Sequence, residues 1–474
     1  QDTTQTQKQK YNLTEMKKVA IYNLCSVLLI VLCLSSCRLG RQYTRPTLNL
    51  PDRLDYQNND TLSVADLKWW DIYTDTTLQA LIKQALLYNK DLKIAASRIN
   101  ELSAMKRIDF ANLFPKLDGR AYGEKEATNY GGNSYDVDYD YKLTGTVSWE
   151  ADIWGNLRWA KSKSMAEFLS SVENRRALQM SIVAQVAQSY FELVALDNEL
   201  SIVKQTVEAR RASVHLARKR FEGGLTAETP YRQAQVELAR TSTLVPDLQR
   251  KISIKENELS VLTGSYPHRI VRSVLPQDVR LPEELPVGLP STLLERRPDI
   301  RSSEQTLIAA NAAVGIAYTN LFPKLTLTAT WGSVSEEIGD ILKSPYHLLS
   351  ANLLQPLFAM GKNRAVLKAK KAAYEQAVYS YEKVVLNAFT DARNAIVDYN
   401  KIKEIHERRL QLVKASQSAV ELAQLQYING VIAYMDLLDA QRGYLDAQIS
   451  LSNAIRDKQI TMVNLYKALG GGWQ

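Results

Sequence analysis

The sequence predicts a membrane α+β protein built from two copies of one strand–strand–long-helix unit. Three observations carry that expectation: an internal duplication, two helical runs of unusual length, and alternating strands at matching places in both copies.

The duplication is literal at one point. Asn112-Leu113-Phe114-Pro115-Lys116-Leu117 returns as Asn320-Leu321-Phe322-Pro323-Lys324-Leu325, 208 residues later. Gly155 matches Gly361, Gly224 matches Gly430 and Gly264 matches Gly470, each 206 residues on. The two-residue change in offset lies between the Phe-Pro motif and Gly155, so that stretch is longer in the first copy. A period near 200 residues is too long for a solenoid, whose repeats run to about 20–50 residues.

The helices come next. Leu157 to Glu222 spans 66 residues without Gly or Pro, and Lys362 to Asn429 spans 68. Each run is rich in good helix formers, and at about 1.5 Å per residue each makes a helix of roughly 100 Å. In the second run Tyr374, Val378, Tyr381, Val385, Ala388, Ala392, Ala395, Tyr399 and Ile402 follow a 4-3 spacing, the pattern of a coiled-coil seam. A long dimeric coiled coil has the same seam but does not explain the segments at the helix ends.

Those segments read as strands. Val137, Tyr139, Tyr141, Leu143, Gly145, Val147 and Trp149 alternate with Asp136, Asp138, Asp140, Lys142, Thr144, Thr146, Ser148 and Glu150. Leu325, Leu327, Ala329 and Trp331 alternate with Thr326, Thr328, Thr330 and Gly332. Period-2 alternation gives one apolar and one polar face. Aromatic-rich strands of this kind fit a transmembrane β-barrel, whose strands need about 9–11 residues. A half-buried hairpin of a soluble sheet alternates in the same way. The partner segments, Leu117 to Tyr130 and Tyr346 to Phe358, alternate less cleanly.

The N-terminus points to export. Met16-Lys17-Lys18 opens an apolar run, Val19 to Leu34, too short to span a membrane and suited to a signal peptide. It ends in Leu34-Ser35-Ser36-Cys37, which looks like a bacterial lipobox. In that reading Cys37 becomes the mature N-terminus and carries covalent lipid, the one modification expected; an incidental Cys after a secretory signal is the bland alternative. Residues 1–15 precede a plausible initiator, Met16. Cys25 and Cys33 fall within the signal, so no intrachain disulfide is expected.

Charge and motifs narrow the function. The formal net charge is +8, spread along the helices as a solvated face rather than gathered into a nucleic-acid patch. His215, His268, His347 and His406 lie in different segments without metal spacing. The seven Met form no metal relay. No G-x-S-x-G, P-loop or G-x-G-x-x-G motif occurs, so no metal site, cofactor or enzymatic activity is expected.

Two further segments carry a family resemblance. The first is Gly288-Leu289-Pro290-Ser291, Leu294-Glu295-Arg296-Arg297-Pro298-Asp299-Ile300-Arg301, Glu304 and Ala310-Asn311-Ala312, leading into Phe322-Pro323. The second is Leu437-Leu438-Asp439-Ala440-Gln441-Arg442, after Gly430. Over about residues 37 to 470 the chain resembles the TolC-like outer-membrane efflux proteins in their lipoprotein branch. The resemblance implies a homotrimer in which each protomer gives four strands to one 12-stranded transmembrane β-barrel, continued by a long periplasmic α-barrel. Physics agrees that four strands in lipid cannot stand alone, because open edges leave backbone groups unpaired. Cyclic assembly is the usual remedy.

The organisation expected is then as follows. Residues 1–36 form the upstream segment and signal, and 37–90 a lipid-anchored extension and the start of a helical belt. Residues 91–264 are the first repeat: a helix from about Asp91 to Asn112, a hairpin with its tip at Gly131-Gly132, a long helix and a return helix. Pro246 should kink that return helix or interrupt one of its hydrogen bonds. Residues 265–297 connect the copies, 298–470 are the second repeat, and 471–474 a short tail.

The turns at Gly223-Gly224 and Asn429-Gly430 should form the periplasmic tip, which the resemblance makes the gate. Carried over by position, the gate residues are Tyr427, Met435, Asp439 and Arg442, with Asp436 and Asp446 near the same helix face. Three copies of Asp439 around an axis would make an acidic ring that Arg442 partly neutralises. The bland alternative is a solvated Asp439–Arg442 pair worth about 0.2–0.5 kcal/mol. Chains of this family can carry an acidic latch where this one has Pro230, which leaves Glu228 or Thr229 as substitutes.

The resemblance implies passive conduction: an outer-membrane exit duct, surrounded by outer-membrane lipid in a Gram-negative bacterium, taking small toxic compounds from a periplasmic adaptor and an inner-membrane RND-type pump. Nucleic acid is not an expected partner. A type I secretion duct, a lipidated coiled-coil adaptor and a surface enzyme with a helical domain are the rivals. The paired strands argue against the adaptor, and the lack of a polar cluster argues against the enzyme.

Overall fold

The computed structural model describes residues 38–50, 70, 75–129, 131, 132, 134–273 and 290–471. Cys37, the signal-like segment, and Gly288 and Leu289 of the first family motif lie outside the described residues.

Each repeat follows one plan. Helices α1 (Thr76–Tyr88) and α2 (Lys90–Ala111) lead into strands β1 (Lys116–Thr128) and β2 (Asp136–Ala151), the long helix α3 (Asn156–Glu222) and the return helix α4 (Glu228–Leu262). The second repeat has α5 (Pro290–Arg296), α6 (Pro298–Thr319), β3 (Lys324–Ser335), a 3₁₀ helix (Ile338–Lys343), β4 (Pro345–Leu354), α7 (Lys362–Ile428) and α8 (Tyr434–Ala468). Asn89 separates α1 from α2; its side-chain oxygen accepts from the Leu92 amide while its Nδ2 donates to the Leu262 carbonyl. Helix α4 runs unbroken through Pro246. Of the two expected effects, the missing amide donor is therefore certain, and it does not end the helix.

The described chain divides into two compact units. The first, which includes Asn100–Ser170 and Glu304–Ser380, holds an antiparallel sheet in the order β1-β2-β3-β4. Its two hairpins have equivalent registers: Lys116 faces Ser148 in the first copy and Lys324 faces Leu354 in the second. Strands β1 and β3 are related by the 208-residue offset, β2 and β4 by 206. The extra two residues of the first copy thus lie wholly in the loop between its strands.

The second unit, which includes Thr47–Ile99, Ser171–Ser303 and Tyr381–Gln474, is helical. Its main core joins Leu78 and Ile82 of α1, Val186, Tyr190 and Leu193 of α3, and Leu465 of α8. From Tyr381 to Ile402 the expected seam of α7 is buried, whereas Tyr374 and Val378 are half-buried.

Candidate functional site

In the first unit the register settles which faces the strands present. Residues directly opposed in a sheet share a face. Leu117 pairs with Val147, Ala121 with Leu143, Trp149 with Leu327, Gly145 with Trp331, and Ala329 with Leu349. One face of all four strands is therefore predominantly apolar, and Leu117, Leu143, Trp331, Leu349 and Leu353 stand exposed on it. The less regular strands β1 and β4 fall into line because their small or aliphatic residues sit opposite the clean alternation of β2 and β3.

The other face is mainly polar, although Leu348 and Leu354 of β4 also lie on it. Thr146 and Thr330 share a hydrogen bond of 3.1 Å, and Lys324 lies 3.4 Å from Glu150. Glu124 directly opposes Asp140 and Glu126 opposes Asp138; Lys142 pairs with Asp140 and partly relieves this repulsion. Strands β1 and β4 are the edges of this sheet, each paired on one side only.

The tip turns lie in the second unit. At Gly224 (φ +71°) the amide donates to the Phe221 carbonyl and the Leu225 amide to the Arg220 carbonyl. At Gly430 (φ +74°) the same two bonds run to Tyr427 and from Val431 to Gln426. Both are Schellman ends, which need a left-handed residue that glycine supplies without a Cβ penalty. Gly223 and Asn429 precede them, and the Asn429 Nδ2 adds a bond of 2.8 Å to the Leu425 carbonyl.

Beneath the turns the gate residues expected from sequence take different positions. Tyr427 is only 3% exposed; its ring packs edge-on against Tyr434 in an apolar cluster with Ala217, Ala234, Leu437 and Leu438. It is thus part of the tip's core. Asp436 caps α8, its carboxylate accepting from the Ala433 amide at 3.0 Å. Met435, Asp439 and Asp446 are exposed. Arg442 donates weakly to Asp439 at 3.4 Å and closely to Glu237 of α4. Glu228 is taken by Arg232 in its own helix, at 2.7 Å, and makes no latch there.

Glu237 and Arg210 were not singled out in the sequence, and Gln441 was named only as part of the second family motif. Glu237 is 4% exposed and Arg210 2%. Arg210 donates to Gln441, and Arg240 lies 3.6 Å from Glu237. The bond from Arg442 holds the Glu237 carboxyl below its ordinary range against the opposing effect of burial. Burial pushes the Arg210 guanidinium down. A sequence signal existed: Glu237 lies in the buried stripe Ala234–Glu237–Thr241, and Arg210 continues Val203–Val207. A charge on a seam position is costly unless paired.

The Arg-Arg-Pro-Asp-Ile-Arg run forms a junction in the second unit. Pro298 opens α6, where its missing amide costs nothing. Buried Arg297 grips Asp299 in a fork, 2.7 and 3.1 Å, and donates to the carbonyls of Ala468 at 3.1 Å and Ala388 at 3.4 Å. The family motif here ties the start of α6 to both α7 and α8. Among the described residues no group of three or more His, Cys, Asp or Glu is placed to hold a metal.

The family described as outer membrane efflux protein matches residues 81–265 and again 289–471, the two repeats. A probable efflux pump outer membrane protein of Pseudomonas putida, TtgC, is 30% identical, covering 95% of this chain and 96% of its own. The cation efflux system protein CusC of Escherichia coli O6:H1 is 27% identical, covering 94% of this chain and 98% of its own. The solved outer-membrane channel OprN superposes with a TM-score of 0.85 at 28% identity, covering 92% of this chain and 100% of that one. With both repeats matched over their length, this chain belongs to the outer membrane efflux protein family.

Proposed function

We propose that this chain is the exit duct of a tripartite efflux pump. Three copies each give four strands to a 12-stranded barrel in the outer membrane, continued by helices into the periplasm. A periplasmic adaptor and an inner-membrane RND-type pump complete the path. The carrying observation is the four-stranded sheet with a predominantly apolar face, a mainly polar face and two open edges. In lipid an unpaired edge costs several kcal/mol per backbone group, so the sheet must close with other copies.

Conduction is passive. Members of this family are channels, and the chain supplies no catalytic chemistry of its own. Among the described residues no helix is long and apolar enough to cross a membrane. The opposed carboxylates of the polar face favour cations in the lumen. The choice of cargo, drugs or other toxic compounds, rests with the pump.

Cys37 carries the lipid. The residues that follow it are clasped in the first unit: the Arg38 guanidinium lies 3.4 Å from the centre of the Trp159 ring, and the Leu39 amide donates to the Trp154 carbonyl at 3.1 Å. That hold on Arg38 and Leu39, beside the end of β2, supports an anchor just upstream. The tip at Gly224 and Gly430 is the gate, with Met435, Asp439 and Arg442 on its open face and the Arg442–Glu237 pair bracing it.

Single-channel recording of the purified, lipidated protein in planar bilayers tests the duct. Small, cation-selective steps are expected. A folded trimer that conducts nothing would end this reading.

A further inference from the structure

The sheet contains a template for its own closure. Its middle seam, β2 against β3, joins the second strand of one repeat to the first strand of the next. Tyr141 faces Ser335 there, Gly145 faces Trp331 and Ala151 faces Leu325. The open edges, β4 and β1, are again the second strand of one repeat and the first strand of another.

The two repeats are equivalent at atomic detail around this seam. Both hairpins keep the same register under the sequence offsets. Trp149 donates to the Leu113 carbonyl at 3.0 Å, and Gln355, its counterpart, donates to the Leu321 carbonyl at 3.2 Å. Phe110 stacks edge-on against Phe114, and their counterparts Tyr318 and Phe322 do the same. What the second strand of the first copy does to β3, the second strand of the second copy should do to a β1.

We infer that β4 of one protomer pairs with β1 of the next in the register obtained by carrying the β2–β3 seam through the duplication. This rests on the trimeric duct reading above and deepens it. Applying the offsets, Ala351 faces Gly123 and Leu353 faces Ala121 on the apolar side, both within β4. Ser350 faces Glu124 and Asn352 faces Tyr122 on the polar side. The parity is right, since apolar-face positions meet apolar-face positions; a slip of one residue would reverse every side chain. Size fits as well. The exposed Leu353 meets Ala121, which Gly119 and Gly123 flank on the same face of β1.

The same operation places a contact at the base of the seam. Inside the chain, Trp154 packs on Phe322 with ring centres 5.1 Å apart and donates to the Pro323 carbonyl at 2.8 Å. Their counterparts are Met360, 86% exposed, and Phe114, 53% exposed. Between protomers Met360 covers Phe114 of the neighbour, a thioether on an aromatic ring in place of the indole.

Cysteine cross-linking reads the register directly. Ala121→Cys/Leu353→Cys tests the apolar face, and Glu124→Cys/Ser350→Cys tests the polar face, because consecutive pairs alternate in Cα spacing. Ala121→Cys with Ala351→Cys or Gln355→Cys gives pairs slipped by two residues in either direction. Positions on β1 and β4 lie on opposite edges of one sheet, so a disulfide between them reports two chains. Full-length variants in outer membranes are oxidised and run on non-reducing gels, with single variants as controls for Cys37. At least one in-register pair is expected to give covalent dimers and trimers several times faster than either slipped pair. Faster linking by a slipped pair, or no linking from a protein that light scattering shows to be trimeric, overturns the register and leaves the duct reading intact. A wild-type protein that is monomeric in detergent overturns both.

Discussion

Arg442 reaches across the tip to Glu237, a residue 205 positions earlier and in the other repeat. The contact joins return helix α8 to return helix α4. Glu237 is buried on a core stripe, so its charge depends mainly on this pairing, with Arg240 at 3.6 Å as a second, more exposed cation. The pair is therefore the natural brace of the tip, whereas Asp439, held by Arg442 at 3.4 Å, is a peripheral partner.

Replacing Glu237 with Gln, or Arg442 with Ala, should loosen the tip. A charge-assisted hydrogen bond contributes about 1.5–3 kcal/mol, which shifts a closed–open equilibrium by about 10- to 100-fold. Single-channel recordings should show open dwell times lengthened accordingly. Asp439→Ala should have a much smaller effect. Equal effects of Asp439→Ala and Glu237→Gln would remove the brace from Glu237.

The pair also sets a pH response. The bond from Arg442 holds the folded-state carboxyl of Glu237 below its ordinary value. Its stabilising contribution is complete above that value and is lost as the pH falls beneath it. Conductance should stay flat on acidification through the neutral range and rise only in strong acid. In Glu237→Gln this acid step should vanish. A rise centred near pH 6–7, where free His titrates, would mean that another group controls the gate.

Tyr427 gives a way to separate packing from gating. Its hydroxyl is buried and, among the described residues, without a hydrogen-bond partner. Tyr427→Phe should therefore leave thermal stability unchanged or slightly raised, with unaltered conductance. Tyr427→Ala removes a ring from the tip core and should cost about 3–5 kcal/mol, seen as a lower melting temperature. A large conductance change in Tyr427→Phe would restore a direct role for the hydroxyl in the gate.

Arg297 offers a test of the family motif. Its planar fork serves Asp299 and two backbone carbonyls at once. Lysine cannot reproduce that geometry. Arg297→Ala leaves Asp299 and the carbonyls of Ala388 and Ala468 without this donor, at a cost of about 1–3 kcal/mol, since Asp299 keeps part of its hydration. Both Arg297→Lys and Arg297→Ala should reduce the yield of trimer in membranes, with Ala the worse. Wild-type yield and melting temperature for Arg297→Lys would make the motif something other than a junction.

The elements that could be read from the sequence are those that glycine and proline punctuate. Gly155, Gly224 and Gly264 end or begin helices within a residue or two of the expected bounds, because those positions need backbone that other residues resist. The strands β2 and β3 were legible because both faces are chemically distinct. Strands β1 and β4 were legible as partner segments, but their faces were not, since Gly119, Ala121 and Gly123 carry little polarity contrast; pairing with β2 and β3 shows those faces. The Arg210, Glu237 and Arg442 cluster was hidden for another reason. Its members sit on three different helices, and no local pattern says which buried charge will meet which.

The turn into each long helix supplies the last prediction. Gly155 and Gly361 occupy matching positions with φ of +84° and +76°. Alanine in the left-handed region costs about 1–2 kcal/mol at either. Their surroundings differ, however. A Cβ on Gly155 would stand 2.9 Å from Arg38 Cγ and 3.2 Å from its Cα, while a Cβ on Gly361 meets nothing within 4 Å. Arg38 is itself clasped on Trp159 and bonded to Ser162 at 3.0 Å, so it cannot retreat without giving up those contacts. Gly155→Ala should therefore lower the melting temperature clearly more than Gly361→Ala, and should also expose the segment after Cys37 to protease. Equal shifts in the two variants, with that segment still protected, would mean that the clasp yields easily and does not hold Arg38 and Leu39 in place.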